Sequence, residues 1–296
     1  MRTTGVKLVG NDWGRDADME EVVYSADSQL RSPGRFVSGV WTDLRVSPPV
    51  AWRLFLHSLR AGYRQSWLGY FWLLLPPLAT TLTWVFLHSA KILDVGQTDT
   101  PYPIYVLTGA LLWQVFAEAL HSPLQRLSSA RNILTKSRIP HEALLLAGLF
   151  EVLFNFIVRL VVLLPVLIWF RSSWSLSLLL APFGVMSLLL LGFAIGLLLT
   201  PVGLLYQDVS RGLSLIVGFW FFLTPVIYPP PAQWPASLLG TLNPVTSLLV
   251  TTRQWLALGT VAPARGFAPV IIASLLCFAV GWLGYRLARP HLIARL

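Results

Sequence analysis

Charge is scarce in this sequence. Of its 296 residues, only 12% are Asp, Glu, Lys or Arg, about half of the ~25% usual in a soluble domain. Hydrophobic residues make up 55%, and the mean hydropathy is +0.65. So few charges cannot keep a soluble surface wet, which leaves a membrane protein with several spans. Lysine is rarer still: Lys7, Lys91 and Lys136 are the only three, and none follows a glycine. A P-loop needs a glycine-rich turn ending in Gly-Lys, whose backbone N–H groups cradle phosphates. The chain therefore carries no ATP site of that kind. The single cysteine, Cys277, sits in an apolar run, which excludes a disulfide framework. Cys/His spacing of the zinc-binding type is absent, so no metal site is expected. The five histidines (His57, His88, His121, His141 and His291) are scattered, mostly near expected span ends, where they read as interfacial side chains. Residues 1–46 are polar and mixed in charge, so no cleaved signal peptide is expected at the start.

What the chain has in abundance is long uncharged runs. Six read as membrane spans, at about 65–90, 103–122, 143–170, 174–200, 213–228 and 266–287. A hydrocarbon core of ~30 Å needs about 20 helical residues. The expected class is an all-α integral membrane protein with six transmembrane helices. A cytoplasmic segment, 1–46, precedes a transmembrane domain over 47–296. Positive charge sets the orientation. Nine Arg or Lys lie in 1–64, four in 123–142, one in 206–212 and three in the tail after 285. Only Lys91, Arg171, Arg253 and Arg265 fall on the other side. The basic side faces the cytoplasm, which places both termini there. In such a chain an arginine excess reports topology rather than nucleic-acid binding.

The stretch before the first span has its own pattern. Arg53, His57, Arg60 and Arg64 recur at helical spacing, with Trp52, Phe55, Leu56, Leu59 and Tyr63 on the opposite side. That is an amphipathic helix over 50–64, begun after Pro48–Pro49. It suits the headgroup layer; packing of its apolar side on a protein core is the alternative. Its three arginines could capture a diphosphate through the fork geometry of the guanidinium, or simply anchor the helix to lipid. Within the first span, Pro76 and Pro77 predict a kink, tolerated where neighbours satisfy the freed carbonyls.

Ionisable groups inside spans are costly and mark a protein interior or a watery path. The third span carries Glu151, Asn155 and Arg159 at four-residue spacing, so they share one helix face. They read either as a pathway wall or as a structural network, being close enough to satisfy one another. Glu118, Glu142 and Asp208 are the other acids within or beside spans, a poor basis for catalysis. Aromatics are plentiful, with 13 Trp. The clusters "WLGYFW" and "FWFFLTPVIY" fit interfacial belts. They also fit a path for sugars, whose C–H faces bury well on rings. For such a path the candidates are Tyr70, Trp72, Phe219, Trp220, Phe222 and Tyr228.

Several motifs together resemble a family. "YRQSWLGYFWLLLPPL", "LTGALLWQVFAEAL", "NILTKSRIP", "YQDVSRGLSLIVGFWFFLTPVIYP" and "LNPVTSLL" occur in order over roughly 48–290. They resemble the polysaccharide-export permeases of the ABC transporter type-2 family. The leader "YSADSQLRSPGRFV" is similar to those of the O-antigen branch. Gln207 departs from the pattern, which often has a basic residue before the Asp-Val pair. The resemblance implies a channel-forming subunit, not an enzyme, that exports polysaccharide linked to undecaprenyl diphosphate. It implies a homodimer with two separate ABC ATPase subunits, which use the ATP; no cofactor is bound by this chain. The first and fifth spans would line the channel. Outer re-entrant helices would lie between spans five and six. Arg126, Arg131, Asn132, Lys136 and Arg138 would belong to the segment seated on the ATPase. On the residues alone two other classes stay open: a membrane-embedded glycan transferase or polymerase, and a proton-driven transporter using Glu151.

Overall fold

In a computed structural model of the chain, the described residues are 33–64, 71–93, 95–130, 140–170, 176–231 and 236–293, with Trp67, Gly69 and Gln233. They form helices and connecting turns, with no strand among them. In chain order the α-helices are α1 (Pro33–Arg64), α2 (Phe71–Ser89), α3 (Tyr102–Ser129), α4 (His141–Phe170), α5 (Ala181–Leu205), α6 (Gln207–Leu223), α7 (Ala236–Leu242), α8 (Pro244–Arg253) and α9 (Phe267–Ile293). A 3-10 turn, Leu176–Leu180, leads into α5, and a π turn, Gln254–Leu258, follows α8.

Five helical stretches are long and apolar enough to cross a membrane: Phe71–Ser89, Tyr102–Ser129, His141–Val161, Leu176–Leu205 and Phe267–Arg289. The expected fifth span, 213–228, is not among them. Its helix begins earlier, at Gln207, and stops at Leu223 after 17 residues. Pro225 disfavours helical backbone at Thr224, and the chain turns there. The first span also differs from the expected 65–90, because helix is described only from Phe71.

At the centre stands α3, with 78% of its apolar window buried against 11% for α2 and 17% for α9. It packs on α5, α4 and α2, while α5 also carries α9. The α3–α5 crossing is close because α5 presents Gly192 and Gly196 one turn apart. A Cβ at Gly196 would lie 2.1 Å from the carbonyl oxygen of Leu120, and one at Gly192 would lie 2.4 Å from that of Phe116.

Helix α1 does not start after Pro48–Pro49 as expected; it runs through them from Pro33. The turn before the prolines is held from elsewhere. Asp43 is ion-paired to Arg286 of α9 at 2.9 Å, and the fully buried Ser47 donates to the Asp43 carbonyl at 2.5 Å. Downstream, Ala51 and Phe55 bury against Ala143 and Ala147 of α4, with Phe150 and Phe154 beside them. Thus part of the apolar side of α1 is spent on protein, although Trp52 is half exposed.

Candidate functional site

Polar side chains meet between α3 and α4. On α3, Glu118, Ser122 and Arg126 recur every four residues and so share a face. Facing them, α4 presents Gly148, Glu151, Asn155 and Arg159. Arg126 pairs with Glu151, and Arg159 pairs with Glu118. Asn155 Nδ2 donates to the other Glu118 oxygen at 3.0 Å. The three α4 residues therefore bond across to α3 and not to one another. A cleft of about 320 Å³ opens beside this ladder, lined by Glu118, His121, Gln125, Arg126, Glu151 and Asn155. Each of its two carboxylates is paired with an arginine, Glu151 with Arg126 in the cleft wall and Glu118 with Arg159 behind it.

Arg159 reaches further. Its side chain is only 4% exposed, and its Nε donates to the carbonyl of Leu73 in α2 at 3.1 Å. In an α-helix that carbonyl would accept from residue 77. Residue 77 is Pro77, which has no N–H. The arginine of one span thus replaces the donor that a proline removed from another. Thr80 and Thr81 hydroxyls donate to the carbonyls of Pro76 and Pro77 at 2.9 and 2.8 Å, reinforcing the next turn. Neither Leu73 nor Glu118 was singled out as a site residue from sequence. The signal was present: Leu73 lies four before a proline, and Glu118 lies eight before Arg126.

The aromatic candidates divide. Trp72, Phe219 and Phe222 are exposed, on α2 and α6, and Trp84 joins those helices by an edge contact to Phe222 at 6.5 Å. Trp220 is half-buried; its ring meets Phe116 edge-on at 5.2 Å, and its Nε1 donates to Asn243 Oδ1 at 3.0 Å. Asn243 also caps α8, accepting from the Val245 N–H at 3.1 Å, and donates to Thr224 Oγ1 at 2.8 Å. The Tyr228 hydroxyl donates to the Phe222 carbonyl at 2.7 Å, and the Tyr228 carbonyl accepts from Tyr105 at 2.9 Å. Tyr70 lies outside the described residues.

Arg253 was read from sequence only as an outer charge. It is buried, lies 3.8 Å over the ring of Tyr105, and donates to the carbonyls of Pro225 and Val226. The backbone break after α6 is therefore closed by a side chain from α8. Close approach requires Gly109 on α3, where a Cβ would lie 2.4 Å from both Arg253 Nη2 and the Val226 oxygen.

At the other end of the bundle, Arg286 Nη1 meets Glu142 and Nη2 meets Asp43, each at 2.9 Å. Arg289 lies 3.8 Å from both acids. His141 Nδ1 and the Tyr285 hydroxyl share a 2.5 Å hydrogen bond. These contacts fasten α1, α4 and α9 together. Arg53 and Arg60 are exposed on α1; the Arg64 side chain lies outside the described residues. Of the residues tied by resemblance to an ATPase, Arg126 sits in the ladder. Arg131, Asn132, Lys136 and Arg138 lie outside the described residues.

The chain is 28% identical over 197 residues to the O-antigen export system permease protein RfbA of Myxococcus xanthus, covering 66% of this chain and 75% of the relative. Its namesake in Klebsiella pneumoniae is 24% identical over 210 residues, covering 69% and 78%. This chain is related to polysaccharide-export permeases. The polysialic acid transport protein KpsM of Escherichia coli extends the match, at 21% identity over 250 residues, 79% of this chain and 91% of the relative. No family model matches the chain.

Proposed function

We propose that this chain is the transmembrane permease subunit of an ATP-driven exporter that moves undecaprenyl-diphosphate-linked polysaccharide, O-antigen in the first instance, across the bacterial inner membrane. The observation that carries it is the similarity to O-antigen and polysialic acid export proteins over most of the chain. Two features of the chain support it. Five helices suit a bilayer, and the sequence has no Gly-Lys phosphate loop, which agrees with ATP hydrolysis on a separate subunit.

In this reading α6 is the short fifth of six spans, and α7 and α8 form an outer re-entrant pair. Both termini face the cytoplasm, a placement supported by the arginine distribution. The chain works as a homodimer with two ATPase subunits. Phe71, Leu75, Leu82 and Phe86 of α2 and Phe219 and Phe222 of α6 are exposed. They form the conduit wall near the partner, where rings present apolar faces to sugars without fixing one repeat unit. Arg53, Arg60 and Arg64 receive the carrier diphosphate at the headgroup level. A proton-driven mechanism through Glu151 fits less well, because its carboxylate is paired with Arg126.

The deciding experiment is genetic and chemical. The gene is expressed together with an ABC ATPase gene from the same genome in a strain lacking its own O-antigen permease, and surface polysaccharide is resolved by gel and by antibody. Restored surface polymer that depends on an intact ATPase supports the proposal. Internal accumulation of lipid-linked polymer in cells that express both subunits in the membrane would refute it.

A further inference from the structure

The first membrane helix is held loosely along its length. Only Pro77 and Thr81 of α2 are buried. Near its outer end it is tied by ring contacts, Trp84 to Phe222 at 6.5 Å and His88 to Tyr102 at 4.3 Å. Near its start the polar tie shown is the bond from Arg159 to the Leu73 carbonyl, at the point where Pro77 withholds a donor. The guanidinium that makes this bond is fixed in turn by Glu118, and Glu118 by Asn155. One turn and two turns further along α3 come Ser122 and Arg126, the latter paired with Glu151. Two polar rungs, Arg126–Glu151 and Glu118 with Asn155 and Arg159, therefore lie along the α3–α4 seam, and the second extends to the α2 carbonyl that Pro77 leaves without a donor. Arg159, on α4, thus touches both α3 and α2.

We propose that Arg159 is a positioning residue for transport: it holds the proline-containing turn of α2 in place by standing in for the missing N–H of residue 77, with Glu118 aiming it. This inference rests on the permease function proposed above. It makes a distinctive demand. The need for Arg159 arises from Pro77, so restoring an N–H at residue 77 relieves it. Pro76 remains in place, so the carbonyl four residues before it, that of Trp72, still lacks its helical donor.

The test uses the full-length chain in lipid nanodiscs and, in parallel, the exporting strain. Arg159→Gln removes the reach to Leu73. A charge-balanced pair, Glu118→Gln with Arg159→Met, does the same without leaving a carboxylate unpaired, and covers the case in which the single variant fails to fold. Amide hydrogen exchange of the peptide over 71–82 is expected to quicken by about tenfold in either variant, because a half-buried carbonyl left without its donor favours local opening. Surface polymer is expected to fall several-fold. Adding Pro77→Ala is expected to return exchange towards that of Pro77→Ala alone and to recover export. Unchanged exchange in the folded variants, or no recovery on adding Pro77→Ala, overturns the positioning role. Faster exchange with undiminished export overturns its part in transport. A wild-type chain that exports nothing sinks the permease reading instead, and exchange alone then decides the positioning role.

Discussion

The guanidinium of Arg253 lies 3.8 Å over the ring of Tyr105 while its Nη2 donates to two carbonyls, those of Pro225 and Val226, at 2.9 Å each. One buried cation thus closes the gap where α6 ends, and its charge is met by a ring face, by carbonyl dipoles and by the field of the Asp99 carboxylate. Removing it leaves two backbone acceptors without their donor. Arg253→Met is expected to lower stability by about 2–4 kcal/mol, seen as a clear drop in melting temperature in detergent. Arg253→Lys should fall between, since an ammonium lacks the planar fork. As a contrast, Arg211 is 79% exposed and 3.8 Å from Asp208, so Arg211→Met should leave the melting temperature nearly unchanged. Equal shifts in the two methionine variants would contradict this picture of Arg253.

Gly196 offers a steric test of the α3–α5 crossing. A methyl group there would have to displace the Leu120 backbone. Backbone cannot swing away as a long side chain can, so helix separation is the remaining response. Gly196→Ala is expected to cost about 1–3 kcal/mol, as overpacking does, and Gly196→Leu to prevent recovery of folded protein. Gly212 has open space where its Cβ would be, and Gly212→Ala should be neutral or slightly stabilising, as alanine favours helix. Size-exclusion profiles and melting curves of the three variants decide it.

Much of this fold could be read from the residues, and the reasons are physical. Apolar runs of about 20 residues have few other uses, so α3, α4, α5 and α9 were legible as helices, with ends displaced by as much as seven residues. Helix α6 was misplaced at both ends because the sequence shows an apolar run through residue 228 but not what terminates it. The stop depends on Pro225 together with Arg253, which lies 28 residues away. Helix α1 was cut at Pro48–Pro49 for a similar reason. Local rules disfavour those prolines, and a contact from Arg286, 243 residues after Asp43, overrides them. The spacing of Glu151, Asn155 and Arg159 did reveal a shared face. It could not reveal that their partners stand on α3, since spacing describes one helix at a time.

The cluster at Asp43, Glu142, Arg286 and Arg289 predicts how α1 is held. Glu142 is 8% exposed and Arg286 is 7% exposed, whereas Asp43 is 29% exposed. Arg286→Gln strands a buried carboxylate, although Arg289 lies close enough to offset part of the loss. An expected cost is about 2–3 kcal/mol, with release of α1 to protease. Asp43→Asn leaves the Arg286–Glu142 pair intact and should cost under about 1 kcal/mol. Because Asp43 and Glu142 share Arg286, the effects of Asp43→Asn and Glu142→Gln should not add. Additive losses in melting and proteolysis would show that the two acids hold α1 and α4 independently.

The neighbours Phe219 and Trp220 separate a wall facing outward from the packing behind it. Phe219 is 71% exposed, so Phe219→Ala should change stability by no more than about 0.5 kcal/mol. Trp220 meets Phe116 and donates to Asn243, the residue that caps α8 and binds Thr224. Trp220→Ala therefore removes ring packing and leaves the cap without one partner, for an expected loss of about 2–4 kcal/mol. If the exposed side of α6 forms the conduit, Phe219→Ala and Phe222→Ala should slow export several-fold in fully assembled protein. Trp220→Ala should instead reduce export in proportion to the protein recovered. Dividing surface polymer by the amount of folded permease distinguishes the two cases. Undiminished export per folded molecule in the double variant Phe219→Ala/Phe222→Ala would mean that this face meets only lipid, and that the sugar passes along another surface.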